Sequence, residues 1–413
     1  MTSEMTSRER VQATVRGEPV DRVPVMTWLN PHAGLRLMAE FQPGSNRLAQ
    51  YLGKWLWKNF KNENGFFSED VRAFLPIFYS GYVNQGYAFD CGSDLVSVGL
   101  GITKVADKIW REDGRLRVRD AFGSIRGMGS IYLDVIRPAV GSIEDLVNLE
   151  LPDASAKKRY DKIRRYRAKH PGACLYGESF GVQDLPATQI WEMSAFMLAL
   201  HDNPDEIKAF QARFNDYNID VSRRMIEAGA DVILIYDDYG TTGAPLTSLA
   251  MWKEFSYPHL KKHIEAIHDA GGLAMLHSCG FQKPFLDYYV EAELDILQSL
   301  QPGAGNDFAE AYGRLGDRLT FSTGIDVQQG EGMTPDELRD DILRAYRIGG
   351  RNGRHILGYS HMLQYTMPGE NIAMLLETVR DIQEGRYDDR SRSRPTISAS
   401  FTPESAAWWV PQP

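Results

Sequence analysis

The chain has 413 residues, 43% hydrophobic and 24% charged, with 55 acidic against 46 basic residues and a formal charge of −9. That composition excludes disorder, collagen and coiled coil as global descriptions, and no run of Lys and Arg could track a phosphate backbone, so nucleic acid is not an expected partner. Three cysteines cannot build a disulfide framework and no stretch approaches the ~18 apolar residues of a membrane span, so the expectation is a cytoplasmic protein with no membrane partner.

The charged amino terminus, MTSEMTSRERVQATVRGEPVDRVPV, lacks the apolar run of a secretory peptide. Between Tyr51 and Phe89 aromatic residues are dense, including Trp55, Trp57, Phe60, Phe66, Phe67 and Phe74. Such a segment suits the wall of an apolar pocket or a cover over a cavity mouth, and ordinary packing of an elaborated amino-terminal region is the plainer reading. From Cys174 onward, short apolar runs alternate with amphipathic segments. Cys174 to Glu178, Asp231 to Tyr236, Leu273 to His277, Ile296 to Leu300, Leu319 to Thr323 and His355 to Tyr359 read as strands. In TPDELRDDILRAYRIGG, Thr334 caps a helix, Pro335 takes its first position, Glu337 completes a capping box and Gly349 stops it. The stripes Leu249, Trp252, Leu260, Ile264, Ile267 and Ile372, Leu376, Val379, Ile382 predict further helices.

These units predict one large α/β domain over residues 1–390 and a Ser/Pro-rich tail over 391–413 without regular structure. Trp408 and Trp409 in that tail are costly to leave in water, so the tail is expected to pack on its own body or on a second subunit, which makes a homo-oligomer one expectation. Strands and helices in alternation imply a parallel sheet covered by helices, with a closed (β/α)8 barrel first and a doubly wound open sheet second. No G-x-G-x-x-G follows a predicted strand, which leaves the nucleotide-binding version of the open sheet without its main support.

In a barrel the residues just past each strand line one rim. That rim would carry Glu178, Asp237 and Asp238, His277 and Cys279, Gln301, Asp326, and Ser360 with His361. His277 and Cys279 are two residues apart in an extended segment and point to the same side, so imidazole and thiolate could grip one zinc ion, with His361 ending another strand at the same rim. The plainer reading is a buried cysteine beside a histidine that bonds a neighbouring loop. Asp237, Asp238 and Glu178 are oxygen donors within reach of that cavity, and capping is the bland role for one of the adjacent acids. His259, His263 and His268 read as helix-face residues.

The stretches RERVQATVRGEPVDRVPV, YDDYGTTGAPLTSLAMWKEFSYPHLKKHIEAIHDAGGLAMLHSCG, ELDILQSLQP, DRLTFSTGIDVQ and YSHMLQYTMPGENI resemble the uroporphyrinogen decarboxylase superfamily, and within it the corrinoid-dependent zinc methyltransferases. The resemblance implies a (β/α)8 barrel with zinc on the H-x-C pair and one later ligand, often a cysteine ahead of a T-P-x-E-N run. No cysteine follows Cys279, and counting back from Glu370 and Asn371 puts His361 at that place. The implied metal set is His277, Cys279 and His361, with Glu178 or Asp238 as a fourth or alternative ligand. The implied catalytic residues are Asp237, Asp238 and Glu178. Trp28, Asn30, Asp94, Tyr239 and Gln301 are the expected substrate contacts, Asp94 because its S-D-L context resembles the decarboxylases' S-D-I acid.

The Arg-rich R-Q-A-G-R-Y segment by which decarboxylases pair substrate carboxylates has no counterpart in MTWLNPHAGLRLM. The expected activity is therefore transfer of a methyl group from a small methylated substrate, preferably an aromatic methyl ether, to the cobalt of cobalamin on a separate corrinoid protein. Zinc would assist the departing oxygen. No D-x-H-x-x-G corrinoid motif occurs, so the cobalamin is expected on a partner. Alternatives are methyl transfer from methylcobamide to a thiol, a metal-free decarboxylase, and a binding protein that has kept the barrel.

Overall fold

Helix α1 (Ser7–Arg16) opens at Thr6, whose hydroxyl accepts from Glu9 N while the Glu9 carboxylate accepts from Thr6 N, and ends at Gly17 in the left-handed region. The computed structural model describes residues 4–30, 33, 55, 92–100, 108–128, 133–350, 353–364 and 366–387. Strands β1 (Val25–Met26) and β2 (Leu95–Leu100) come next. An excursion follows: β3 (Lys108–Glu112), β4 (Arg115–Arg119), β5 (Ile125–Met128) and β6 (Leu133–Arg137), then α2 (Ile143–Asn148) and α3 (Asp161–Lys169). Regular alternation begins with β7 (Cys174–Phe180), α4 (Met193–Asp202), α5 (Pro204–Glu227), β8 (Val232–Tyr236), α6 (Leu249–Phe255), α7 (Tyr257–Asp269) and β9 (Leu273–His277). It continues through α8 (Leu286–Glu291), β10 (Ile296–Gln298), α9 (Phe308–Leu315), β11 (Thr320–Ile325), α10 (Pro335–Gly349), β12 (His355–Tyr359) and α11 (Gly369–Gln383).

Eight strands run parallel in the order β1-β12-β11-β10-β9-β8-β7-β2. The ends meet where Asp94 N donates to Val25 O at 2.7 Å and Val25 N donates to Asp94 Oδ2 at 2.9 Å. The result is the expected (β/α)8 barrel. Alternation sorts its side chains: Met26, Leu95, Tyr176, Leu234, Met275, Ile296 and Ile356 fill the interior, and Val11 and Val15 of α1 close the end where the strands begin. Leu175, Ile233, Ile235, Leu276 and Leu297 point outward into the helical layer. Strands β3 to β6 form a separate antiparallel sheet that the alternation pattern did not announce.

Three boundaries differ from the expected ones. The stripe from Leu249 to Ile267 is two helices, broken at Ser256, which precedes the second one just ahead of Pro258 and turns its hydroxyl to Gln183. Strand β10 stops at Gln298, because Ser299 takes φ 94° and leaves the extended region. The capping box at Thr334 and Glu337 is present, and the turn out of α10 falls on Gly350, one residue later than expected. The aromatic segment from Tyr51 to Phe89, Trp55 apart, and the tail with Trp408 and Trp409 lie outside the described residues. Among the described residues no helix is long and apolar enough to cross a membrane.

Candidate metal centre

His277 is the last residue of β9 and follows Met275 on the interior face, which aims its imidazole into the barrel mouth. Cys279 folds back over it, with Sγ 3.2 Å from His277 Nε2. That fold depends on two loops meeting at backbone distance: a Cβ on Gly280, where φ is 79°, would lie 2.3 Å from both C and O of Gly240. Cys279 N donates to Asp238 Oδ1 and Gly280 N to Gln301 Oε1, each at 2.7 Å. His361 enters from the exit of β12, and the donor atoms of His277, Cys279 and His361 lie within 4.8 Å of one another.

Gln298 fixes which nitrogen of His277 is available. Its Nε2 donates to Tyr359 O at 2.9 Å, which turns Oε1 toward His277 Nδ1. Nδ1 therefore carries the proton, and Nε2 presents its lone pair toward Cys279. Burial depresses the pKa of His277, against the opposing effects of Asp238 and Gln298, and burial together with His277 takes His361 down to about 4. Both rings are neutral at ordinary pH. Burial and Asp238 hold the Cys279 thiol well above its usual range, so without a cation the sulfur keeps its proton. A tetrahedral zinc with ordinary Zn–N and Zn–S bonds sets its nitrogen and sulfur ligands ~3.5 Å apart. The 3.2 Å between His277 Nε2 and Cys279 Sγ is close to that spacing, so this donor set fits such an ion with one position left open.

Aromatic rings surround the donors. Trp28 lies 4.9 Å from His277, 5.3 Å from His361 and 6.0 Å from Tyr236, measured between ring centroids. Phe180 stands 6.1 Å from Tyr236. Glu178 reaches the interior one layer below and accepts from Ser97 Oγ at 2.5 Å. Burial raises its pKa against Ser97 and Lys162, while burial lowers Lys162 to about 8.

Several expected residues occupy different places from those the family likeness implied. Asp94 precedes β2, at the opposite end of the barrel, where its buried carboxylate accepts from Arg10 at 2.6 Å and Arg22 at 2.7 Å; as the seam between β1 and β2 it does not reach the mouth. Tyr239 packs 5.4 Å from Trp252 and 5.8 Å from Phe285 in the helical layer, not in the cavity. Asp237 is buried, and its carboxylate accepts the N–H groups of Val182, Gln183 and Asp184. It braces that loop, which accounts for one of the two adjacent acids. Asp238 faces the cysteine instead, 3.9 Å from His277 Nε2. Asn30 is buried beside the β1–β12 seam, where its N–H donates to Leu363 O, and Gln301 supports the cysteine loop from behind.

Three residues near the site carried no sequence signal. Gln298 and Ser299 sat inside a run read as a plain strand. Asp184 follows β7, and burial with neighbouring Asp238 and Asp237 pushes its carboxyl up to about 8.

The family model described as Uroporphyrinogen decarboxylase (URO-D) matches residues 121–382. A uroporphyrinogen decarboxylase of Coxiella burnetii is 23% identical over 287 residues, 64% of this chain and 74% of that protein. One from Psychromonas ingrahamii is 20% identical over 255 residues, 58% and 68% of the two chains. Among solved structures, a methyltransferase from Methanosarcina mazei superposes with a TM-score of 0.57 at 17% identity, covering 93% of this chain and all of that one; at that identity the likeness is one of fold.

Proposed function

The chain belongs to the uroporphyrinogen decarboxylase family, and from that premise we propose that it is a zinc-dependent methyltransferase. It would move a methyl group from a small methylated substrate, preferably an aryl methyl ether, to the cobalt of a corrinoid protein. The observation that carries this reading is the convergence of His277, Cys279 and His361, a donor set that decarboxylation does not need. Bound there, zinc would supply Lewis acidity toward the ether oxygen as it leaves.

The chain's own residues account for the rest. Gln298 holds the His277 tautomer, and burial keeps both imidazoles uncharged so that they donate lone pairs rather than protons. Trp28, Tyr236 and Phe180 offer apolar faces to an aromatic ring and keep water from the donors. Glu178, one layer below the donors and with burial favouring its protonated form, would be the group that holds a proton for the departing oxygen. Asp238 ties down the Cys279 backbone. The corrinoid partner must approach from the open mouth.

The test is elemental analysis of the purified chain beside Cys279→Ser and His361→Ala. The expected result is one zinc per chain that falls sharply in both variants, followed by methyl transfer from aryl methyl ethers to a reduced corrinoid protein. Activity with thiols in place of ethers would assign the reverse partial reaction at the same site. A second reading, decarboxylation, is favoured by the names of the sequence relatives. Zinc-free wild type even after supplementation, with release of carbon dioxide from a candidate acid, would replace the methyltransferase reading with that one.

A further inference from the structure

Gln298 and Ser299 are consecutive, and in a regular strand they would point to opposite faces, Gln298 into the mouth and Ser299 into the helical layer. Here both serve the donor cluster. Ser299 is fully buried at φ 94°, outside the left-handed well in which the other two positive-φ non-glycine residues among the described ones, Asp113 (φ 50°) and Glu293 (φ 60°), are found. A backbone of this kind costs ~1–3 kcal/mol for a residue with a Cβ and persists where the surroundings over-determine it. Rotation about N–Cα re-aims the Ser299 side chain, so that Oγ donates to Ser360 O at 2.7 Å and lies 3.7 Å from Cys279 Sγ. Ser360 is the residue before His361. One hydroxyl therefore touches the sulfur of one donor and the backbone that carries another, while its neighbour Gln298 orients the third.

We propose that Ser299 is a positioning residue for the metal centre: its strained backbone places one hydroxyl between Cys279 Sγ and the His361-bearing loop, and so sets the sulfur for metal binding. This rests on the metal reading given above but not on methyl transfer. With the thiol protonated, S–H donates to the His277 Nε2 lone pair 3.2 Å away, while the Ser299 hydroxyl donates to Ser360 O. Once the sulfur is a thiolate bound to a cation, the same hydroxyl can rotate to donate to it, and a charge-assisted bond of that kind restrains the sulfur's charge and direction.

Two substitutions separate this role from a merely structural one. Ser299→Gly removes the hydroxyl and also releases the strain, since glycine occupies this region freely. Ser299→Ala removes the hydroxyl and keeps the strain. The probes are zinc alone, titrated into metal-free full-length protein against a chelator, and cobalt(II) alone, whose thiolate charge-transfer band reports the sulfur directly. Both variants are expected to bind zinc about ten- to a hundredfold more weakly and to shift the cobalt–thiolate band, while Ser299→Gly unfolds at the same or a higher denaturant concentration than wild type. A weaker site in a protein of undiminished stability cannot come from general damage to the fold. Wild-type zinc affinity and an unmoved band in Ser299→Gly would overturn the proposal and leave the metal reading standing. A wild type that takes up neither ion would overturn both.

Discussion

The side-chain amide of Gln298 spans two strands, with Nε2 donating to Tyr359 O at 2.9 Å on β12 and Oε1 accepting from His277 Nδ1 on β9. One amide therefore sets both the tautomer and the tilt of the imidazole, and its orientation is fixed because a main-chain carbonyl can accept only from the NH2 end. Gln298→Leu is expected to lower zinc affinity about ten- to a hundredfold, as loss of a ligand's outer hydrogen bond does. Gln298→Glu keeps an acceptor toward Nδ1 and should lose less. Chelator competition on the two variants checks the order, and an affinity unchanged in Gln298→Leu would remove the amide from the centre.

Asp94 makes a second prediction, at the far end of the barrel. Its carboxylate accepts from Ser7, Arg10, Arg22 and Val25 N, so Asp94→Ala takes the ion pair from Arg22, leaves buried Arg10 with Asp21 alone, and opens the seam. Removing one partner of a buried ion pair costs ~3–5 kcal/mol. The expected outcome is a large drop in the urea midpoint with zinc stoichiometry intact while the protein remains folded. A variant of normal stability that fails only with substrate would return Asp94 to the binding role its sequence context suggested.

His263 on α7 is buried with Nε2 2.8 Å from Ser222 Oγ on α5, and burial takes its pKa from 6.5 to about 3. The unfolded chain takes up this proton as pH falls below about 6.5, whereas the folded chain does so only near 3. Stability from this group is therefore full above about 6.5 and declines toward pH 3 by ~1.4 kcal/mol per unit. Between pH 7 and pH 5, His263→Gln should lose about 2 kcal/mol less than wild type in urea unfolding. Parallel pH profiles would show that His263 titrates normally.

The contact between Gly240 and Gly280 is tested by adding one methyl group. Gly280→Ala must place its Cβ against main-chain atoms at a left-handed φ, with no flexible side chain able to move away. A loss of at least ~2 kcal/mol is expected from the backbone strain and clash together, with weakened zinc binding because Cys279 is displaced. Gly243→Ala, on the loop that carries Gly240 and with open space around its Cβ, is the control and should leave both measurements near wild type.

How legible these features were in the sequence follows from how local they are. The barrel announced itself because β7 to β12 are contiguous apolar runs between capped helices, and the His277–Cys279 pair because both members leave one strand together. His361, 84 positions from His277, was reachable only through the barrel, which puts it at the exit of another strand on the same rim, and through the ligand place that the family likeness implied. Asp94 was misplaced by the same likeness: its S-D-L context precedes a strand where a mouth residue would have to follow one. Ser299 and Asp184 had no local mark, because a positive φ and a raised pKa are products of neighbours brought from other strands. The antiparallel sheet β3 to β6 escaped because short, Arg-rich strands such as RLRVR alternate polar and apolar residues without the continuous apolar run of a barrel strand.

The donor cluster draws on the barrel unevenly. His277, Cys279, Gln298, Ser299 and His361 come from β9, β10 and β12, all in the later half of the chain, whereas Trp28, Glu178, Phe180 and Tyr236 come from β1, β7 and β8 on the other side of the mouth. On the proposed reading, ion capture and substrate choice would then be encoded in separate stretches of the gene. Exchanging the strand ends of the earlier half between relatives should change which molecules are accepted while the ion stays put, a modularity that would let one chemistry be redirected to new compounds by recombination.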